Sequence, residues 1–398
     1  MSNPFLKLSI LFSISFFCIC CGKEDELKKE RTVLIYMAAD NNLSSEVSEN
    51  IKGMKEGISE MKALPGYFVV FKHCRNKRPE LVEFYISETE VKERILKEYK
   101  EEKSATVDMF LQVVKDVRTI FKTPSYGLVM WSHGSGWLPH TKANIKSVGS
   151  TASPDLSLFP HHAYFGEDGG NNSMEISDLA EGIGNSKPFA FILFDACLMS
   201  SIESLYAMRN NADYFIASPA DIISTGHPYK EIVKYFWGGK EDYEKICQAY
   251  FDYYNSQSGN WQSAATALVD SRELENLAVE TAGILKGRKK EIQGMGTEEI
   301  MYYFSNLNNY KPHFFDFGEF IKKVALPAQY EVFKNILDRA VCYKRATPYF
   351  FRDSEGEKYA MPVEKYSGLN TYIPSERWEE QYNSIYFSSE WAKKVYTE

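Results

Sequence analysis

Two apolar runs, each ending in a turn that carries one reactive side chain, constrain this chain more than anything else in it. The first is Tyr126-Gly-Leu-Val-Met-Trp-Ser-His133-Gly-Ser-Gly136, and the second is Phe189-Ala-Phe-Ile-Leu-Phe-Asp195-Ala-Cys197. Apolar runs without alternation read as strands buried on both faces, the kind found in parallel sheets covered by helices. In open sheets of that type, reactive groups gather beyond the carboxyl ends of the strands. His133 and Cys197 both fall there, so an imidazole and a thiol far apart in sequence can meet at one sheet edge.

The remaining pattern supplies the other layers. Residues 31–39 are β-branched and apolar and predict a first buried strand, followed by Asp40-Asn-Asn-Leu-Ser-Ser45, which suits a turn and a helix cap. Val47, Ile51, Met54, Ile58 and Met61 recur at spacings of three and four, the mark of an amphipathic helix over 45–62. Strands are predicted at 67–71, 81–86 and 214–218, and helices at 106–121, 175–183 and 198–208. Between Leu138 and Tyr164 periodicity lapses into a long loop. Beyond Gly238 the texture becomes aromatic-rich, with helices expected at 243–254, 271–286, 302–320 and 330–343 and strands at 263–269 and 368–373. The reading is an α/β fold with a largely parallel sheet. A catalytic core over 31–238 is followed by a C-terminal subdomain over 239–398, packed on the same sheet.

Composition narrows the function classes. A net charge of −8, with Lys and Glu interleaved along the chain, lacks the clustered basic footprint of a nucleic-acid binder. Residues 5–21 are apolar except for Lys7 and the serines and end in Cys20-Cys21, resembling a bacterial lipoprotein signal. That resemblance implies cleavage before a lipidated Cys21, a charged tether over 22–30, and a membrane lipid anchor at the cell envelope, on the outer membrane or cell surface. Ordinary secretion is the alternative. Cys74, Cys197, Cys247 and Cys342 remain for the folded part and form neither a zinc pattern nor a disulfide framework. Cys197 is the one with chemical context.

A thiol attacks a carbonyl as thiolate, and a neighbouring imidazole or a helix N-terminus favours that state. The helical pattern that begins at Leu198 is expected to supply the second aid. Gly134 removes a side chain where substrate must approach, and its N–H together with that of Cys197 forms a candidate oxyanion hole. Taken singly, a buried Cys is commonly a small apolar core residue and a His beside Gly a turn residue; their joint placement points to catalysis.

Four segments, Tyr36-Met-Ala-Ala-Asp-Asn-Asn-Leu43, Trp131-Ser-His-Gly-Ser-Gly-Trp137, Phe194-Asp-Ala-Cys-Leu-Met-Ser200 and Ala212-Asp-Tyr-Phe-Ile-Ala-Ser-Pro219, resemble the clostripain-like cysteine peptidases. The resemblance implies a caspase-like α/β/α sandwich and cleavage of protein or peptide substrates after Arg or Lys. It makes His133 the general acid/base, Cys197 the nucleophile and Asp195 the anion of the S1 pocket. An Asp two residues before the nucleophile points to the same face, and a carboxylate there selects a cation. Its alternative role is to cap a helix starting after Cys197. The family commonly matures by cutting the loop between the two motif strands, where Lys142 and Lys146 lie. Lys146 is the candidate, against the reading of a plain solvated loop.

No organic cofactor is required. Calcium stays open because some relatives need it, and residues 167–172 offer oxygen ligands without EF-hand spacing. One departure is Pro219-Ala220, where the best-known members carry acidic residues; Asp221 can supply part of that charge, and His227 beside Pro228 reads as structural. Two rival functions remain, hydrolysis of another amide or ester on the same fold and a non-catalytic surface-binding lipoprotein that keeps the fold.

Overall fold

A computed structural model of the chain describes residues 29–100, 103–137, 164–169, 172–185, 188–304, 313–350, 359–360, 362–376 and 380–396. The lipoprotein-type signal, Cys21, Lys142 and Lys146 lie outside the described residues. In chain order the first elements are β1 (Arg31–Ala39), α1 (Glu46–Ser59), β2 (Tyr67–Cys74), β3 (Glu80–Ser87), β4 (Glu90–Glu98), α2 (Val107–Ile120) and β5 (Ser125–Trp131). Next come β6 (Tyr164–Asp168), β7 (Asn172–Glu175), α3 (Ile176–Ile183), β8 (Phe189–Asp195), α4 (Ile202–Ala207) and β9 (Ala212–Ala217). After these come α5 (Tyr229–Ile232), α6 (Lys240–Asn255), β10 (Ala265–Asp270), α7 (Leu274–Leu285), α8 (Lys289–Gly294), β11 (Tyr302–Phe304), β12 (Phe314–Asp316), α9 (Phe317–Val324), α10 (Pro327–Ala340) and β13 (Val341–Ala346).

Among the described residues a nine-stranded sheet runs β13-β10-β9-β8-β5-β1-β2-β3-β4. Its five inner strands, β9, β8, β5, β1 and β2, are parallel, and both edges are antiparallel. The inner strands read as continuous apolar runs because both of their faces are covered. Along β1, Leu34, Tyr36 and Ala38 enter one core while Val33, Ile35, Met37 and Ala39 enter the other. Met109, Phe110, Val113 and Val117 of α2 belong to the first core, and Val47, Met54 and Ile58 of α1 to the second. The result is a three-layer α/β/α sandwich.

Trp131, the last residue of β5, shows how packing fixes the site. Its ring is buried in the second core and its Nε1–H donates to Asn50 Oδ1 at 3.0 Å, tying the end of β5 to α1. Truncating it costs about 3–5 kcal/mol and frees the strand end that delivers His133.

The structure differs from the sequence reading in several places. Residues 302–304 and 314–316 are short strands, and the helix begins only at Phe317, where the Asp316 side chain accepts from Glu319 N at 2.9 Å. The helix expected to reach residue 343 stops at Ala340 and passes into β13, an edge of the main sheet. β4 was not expected at all: its sequence Glu-Val-Lys-Glu-Arg-Ile-Leu-Lys-Glu is mostly exposed, as suits a charged edge strand.

Candidate active site

The parallel pairing of β5 with β8 sets Met130 opposite Phe194 and Trp131 opposite Asp195. His133 and Cys197 therefore lie equally far beyond the ends of neighbouring strands. The register persists past the sheet, since Ser132 N donates to Asp195 O at 3.4 Å. The two turns touch. A Cβ on Gly134 would lie 2.9 Å from both the Ala196 Cβ and the Cys197 carbonyl oxygen, so only glycine fits between them.

Each turn is anchored from elsewhere in the chain. Trp137 closes the His133 turn by packing on Tyr372, with ring centroids 4.4 Å apart, and by donating from Nε1 to the His313 carbonyl at 3.0 Å. The Cys197 turn is clamped by Asn370, whose Nδ2 donates to Leu198 O at 3.2 Å and to Pro219 O at 2.8 Å. The C-terminal part thus holds both turns in place.

His133 is half-buried, and its Nε2 lies 2.6 Å from Asn42 Oδ1. An amide oxygen only accepts, so Nε2 carries the proton of that bond. Asn42 comes from the turn after β1, the strand on the other side of β5. Its neighbour Asn41 is the cap that the sequence suggests, with Oδ1 accepting from Leu43 N at 2.9 Å. Capping chemistry was legible in that Asn pair, whereas the reach of Asn42 to His133 depends on β1 and β5 being adjacent.

Cys197 is half-buried and its surroundings are not those expected. Leu198 takes a left-handed conformation, φ +63°, which costs a leucine energy and stops a helix from starting there. The helix begins instead at Ile202, capped by Ser201. A helix N-terminus next to the thiol is therefore corrected, and so is Asp195 as its cap. Burial pushes the Cys197 thiol well above its ordinary value, and the carboxylates of Asp221 and then Asp195 push the same way. Opposing them, Ile222 N donates to Sγ at 3.3 Å.

Asp195 is buried and occupied. Its Oδ1 accepts from His227 Nδ1 at 2.9 Å, and its Oδ2 accepts from His227 N at 3.1 Å and from the Tyr229 hydroxyl at 2.8 Å. Burial, reinforced by Asp195, holds the Tyr229 hydroxyl far above its usual range, so it remains a donor. Gly226, at φ +68°, lies so close that a Cβ there would fall 2.6 Å from Oδ2. The turn is fixed by Tyr254, which donates to Gly226 O at 2.6 Å, and the His227 ring stacks on Tyr250 at 4.4 Å. His227 is structural in this sense, and its partner is Asp195. No signal in the sequence tied residue 227 to residue 195.

Of the segment 167–172 offered for calcium, residues 170 and 171 lie outside the described residues. Asp168 accepts from Ala105 N at 2.8 Å and from the Asn172 amide, so its carboxylate holds the backbone together. Among the described residues no group of three or more His, Cys, Asp or Glu side chains is placed to hold a metal. Cys74, Cys197, Cys247 and Cys342 are free thiols, and no described helix is long and apolar enough to cross a membrane.

Comparison with known proteins bears on the fold and the family. An inactive zymogen C11 protease from Parabacteroides distasonis superposes with a TM-score of 0.78 at 31% identity, covering 92% of this chain and 98% of that one. A secreted C11 cysteine protease from Bacteroides thetaiotaomicron, solved with an irreversible peptide inhibitor, gives 0.76 at 27% identity, covering 92% and 99%. None of the curated proteins compared with it matches the chain. The sequence profile of the clostripain family matches residues 35–396. The chain belongs to the clostripain family of cysteine peptidases, and it is a cysteine endopeptidase with their α/β fold.

Proposed function

We propose that this endopeptidase works by a Cys197/His133 dyad and cuts after basic residues. The observation that carries the reading is the register of β5 and β8, which brings the His133 and Cys197 turns into contact through Gly134. With Nε2–H committed to Asn42, Nδ1 is the basic nitrogen of the neutral imidazole. It takes the thiol proton as Sγ attacks the peptide carbonyl, then gives that proton to the amine as the C–N bond breaks. Water cleaves the thioester, releasing the acid and restoring the thiol. The Gly134 and Cys197 N–H groups stabilise the oxyanion, a contribution of about 3 kcal/mol per donor.

The raised thiol makes deprotonation the difficult part of this sequence, so proton removal by His133 is coupled to attack rather than completed beforehand. Asp195, two residues before the nucleophile, is the anion facing a cationic P1 side chain. Hydrolysis of Lys and Arg reporter peptides by wild type, Cys197→Ala and Asp195→Ala tests both roles. Loss of all turnover in the first variant and loss of basic preference in the second are expected; turnover surviving in Cys197→Ala contradicts the dyad.

The chain is further proposed to be exported and lipid-anchored through Cys21. Mass analysis of the mature N-terminus, with Cys21→Ser as the control, checks this, and an unmodified N-terminus contradicts it. Maturation is proposed at Lys146. Intact mass of wild type beside Cys197→Ala reads it, and an uncut chain in both overturns it.

A further inference from the structure

At the end of the sheet opposite the catalytic edge, α2 and α3 border a cleft of about 360 Å³, a volume in the range of small-molecule sites. α2 leads into β5 and α3 into β8, so both helices end where those strands begin. Gly182 lets the helices come close, since a Cβ there would lie 2.9 Å from Leu111 Cδ1 and 3.1 Å from Val107 Cγ1. Leu111 and Val114 line the cleft from α2, and Ile183 and Pro188 from the end of α3 and the turn into β8. The charged side chains in the lining are both cations, Lys115 and Arg118. The Arg118 guanidinium lies over the Tyr126 and Phe189 rings, 4.8 and 5.4 Å from their centroids. Its Nη2 donates to the Pro188 carbonyl at 3.1 Å, its Nε is buried without a partner, and among the described residues no carboxylate pairs with it. Arg209 makes the contrast: it stacks over Tyr206 at 4.0 Å and is answered by Glu390 at 2.8 Å and Glu275 at 3.8 Å. Of the acids on the two helices, Asp116 is bound by Lys97, Tyr99 and Gln112, and Asp108, Asp178 and Glu181 are not in the lining.

We infer that this cleft binds an aliphatic carboxylate, its head at Lys115 and Arg118 and its chain along Leu111, Val114, Ile183 and Pro188. The Nη1 donors of Arg118 and the ammonium of Lys115 supply charge-assisted hydrogen bonds to a carboxylate. Burial pulls Arg118 below the ordinary arginine range, so its charge is held at a cost that a bound anion offsets. The remaining wall offers little for a polar ligand. Thr119, the other polar side chain of the lining, donates its hydroxyl to Lys115 O at 2.7 Å. A sugar or nucleotide would leave several of its own polar groups unpaired there, whereas an aliphatic chain loses nothing by leaving water. The site lies away from Cys197 and His133, so its ligand does not compete with substrate.

Calorimetric titration of the full-length wild type with butanoate, hexanoate and octanoate tests this. One saturable site is expected, with affinity rising about fourfold for each added methylene. Octanol, which has the chain without the charge, should bind about tenfold more weakly than octanoate. Arg118→Gln should weaken octanoate about tenfold, and Lys115→Glu, at an exposed position, about fivefold. Absence of saturable binding at millimolar octanoate, or octanol binding as well as octanoate, overturns the inference. So does an affinity unchanged in Lys115→Glu, a result that stands even if Arg118→Gln folds poorly. Octanoate binding that vanishes once Cys197 is alkylated would place the ligand at the catalytic edge and overturn it too. Tighter binding of N-acetyl-leucyl-leucine than of octanoate would make a peptide C-terminus the occupant instead.

Discussion

Asp195 and Asp316 are both buried aspartates at the ends of strands, β8 and β12, yet they are held in different ways. Asp316 binds three separate parts of the chain: Glu319 N of α9 at 2.9 Å, the Tyr303 hydroxyl of β11, and Ser367 through both N at 2.8 Å and Oγ at 2.9 Å. It works as a joint, and burial pushes its carboxyl up to about 6. Asp195 takes its three donors from residues 227–229 alone and lies two residues from the nucleophile. A carboxylate that ties distant segments together is part of the architecture. One served by a single local turn beside the nucleophile is the one proposed to face the P1 side chain.

The sharpest way to break this contrast is to remove Asp195. Asp195→Ala should lower kcat/KM for a Lys reporter by about 10³-fold, the scale for losing one partner of a buried charged contact. Turnover of a norleucine reporter should fall far less, and equal losses on both would make Asp195 a joint like Asp316.

Asp316 should show itself in stability instead. Burial places it at about 6, above the ordinary 3.8 of an aspartate. Between these values the native state holds a proton that the unfolded chain releases, so the contribution to stability falls as pH rises through that window. The cost at pH 7 relative to acid is about 3 kcal/mol. Asp316→Asn should flatten the pH dependence of urea unfolding between pH 4 and 7 while leaving the Lys:norleucine ratio untouched. An unchanged slope, or an altered ratio, would blur the distinction.

The smallest expected effect concerns Asn42, which orients a reactive group through one exposed contact. Asn42→Ala should reduce kcat by about tenfold with KM nearly constant, and Asn42→Asp, which keeps an acceptor oxygen, should recover part of it. A change confined to KM would argue that Asn42 touches substrate rather than His133.

The parts of the fold that were legible in the sequence are those whose signal is local. β1, β5, β8 and β9 are continuous apolar runs because both their faces are covered, and the helices α1 and α2 show their buried faces at spacings of three and four. β4 was missed because an exposed, charged edge strand has no buried face to reveal it. The strands at 302–304 and 314–316 were missed because pairing at Phe315 with Thr371 holds them, across more than fifty residues of sequence. The same limit applied at the site. His133, Gly134 and Cys197 announce themselves through their turns, but the left-handed Leu198, the His227 and Tyr229 donors to Asp195, and the Asn370 clamp arise only from tertiary contact.

The central claim is that Cys197, served by His133 across two touching turns, performs the bond cleavage. Treating the active enzyme with a Lys-terminated peptidyl chloromethyl ketone and mapping the adduct by mass spectrometry tests it directly. One adduct per molecule is expected, on Cys197, formed in step with loss of activity and strongly slowed in His133→Ala. Complete inhibition with Cys197 unmodified, or an adduct on Cys74, Cys247 or Cys342 that tracks the loss of activity, would contradict it.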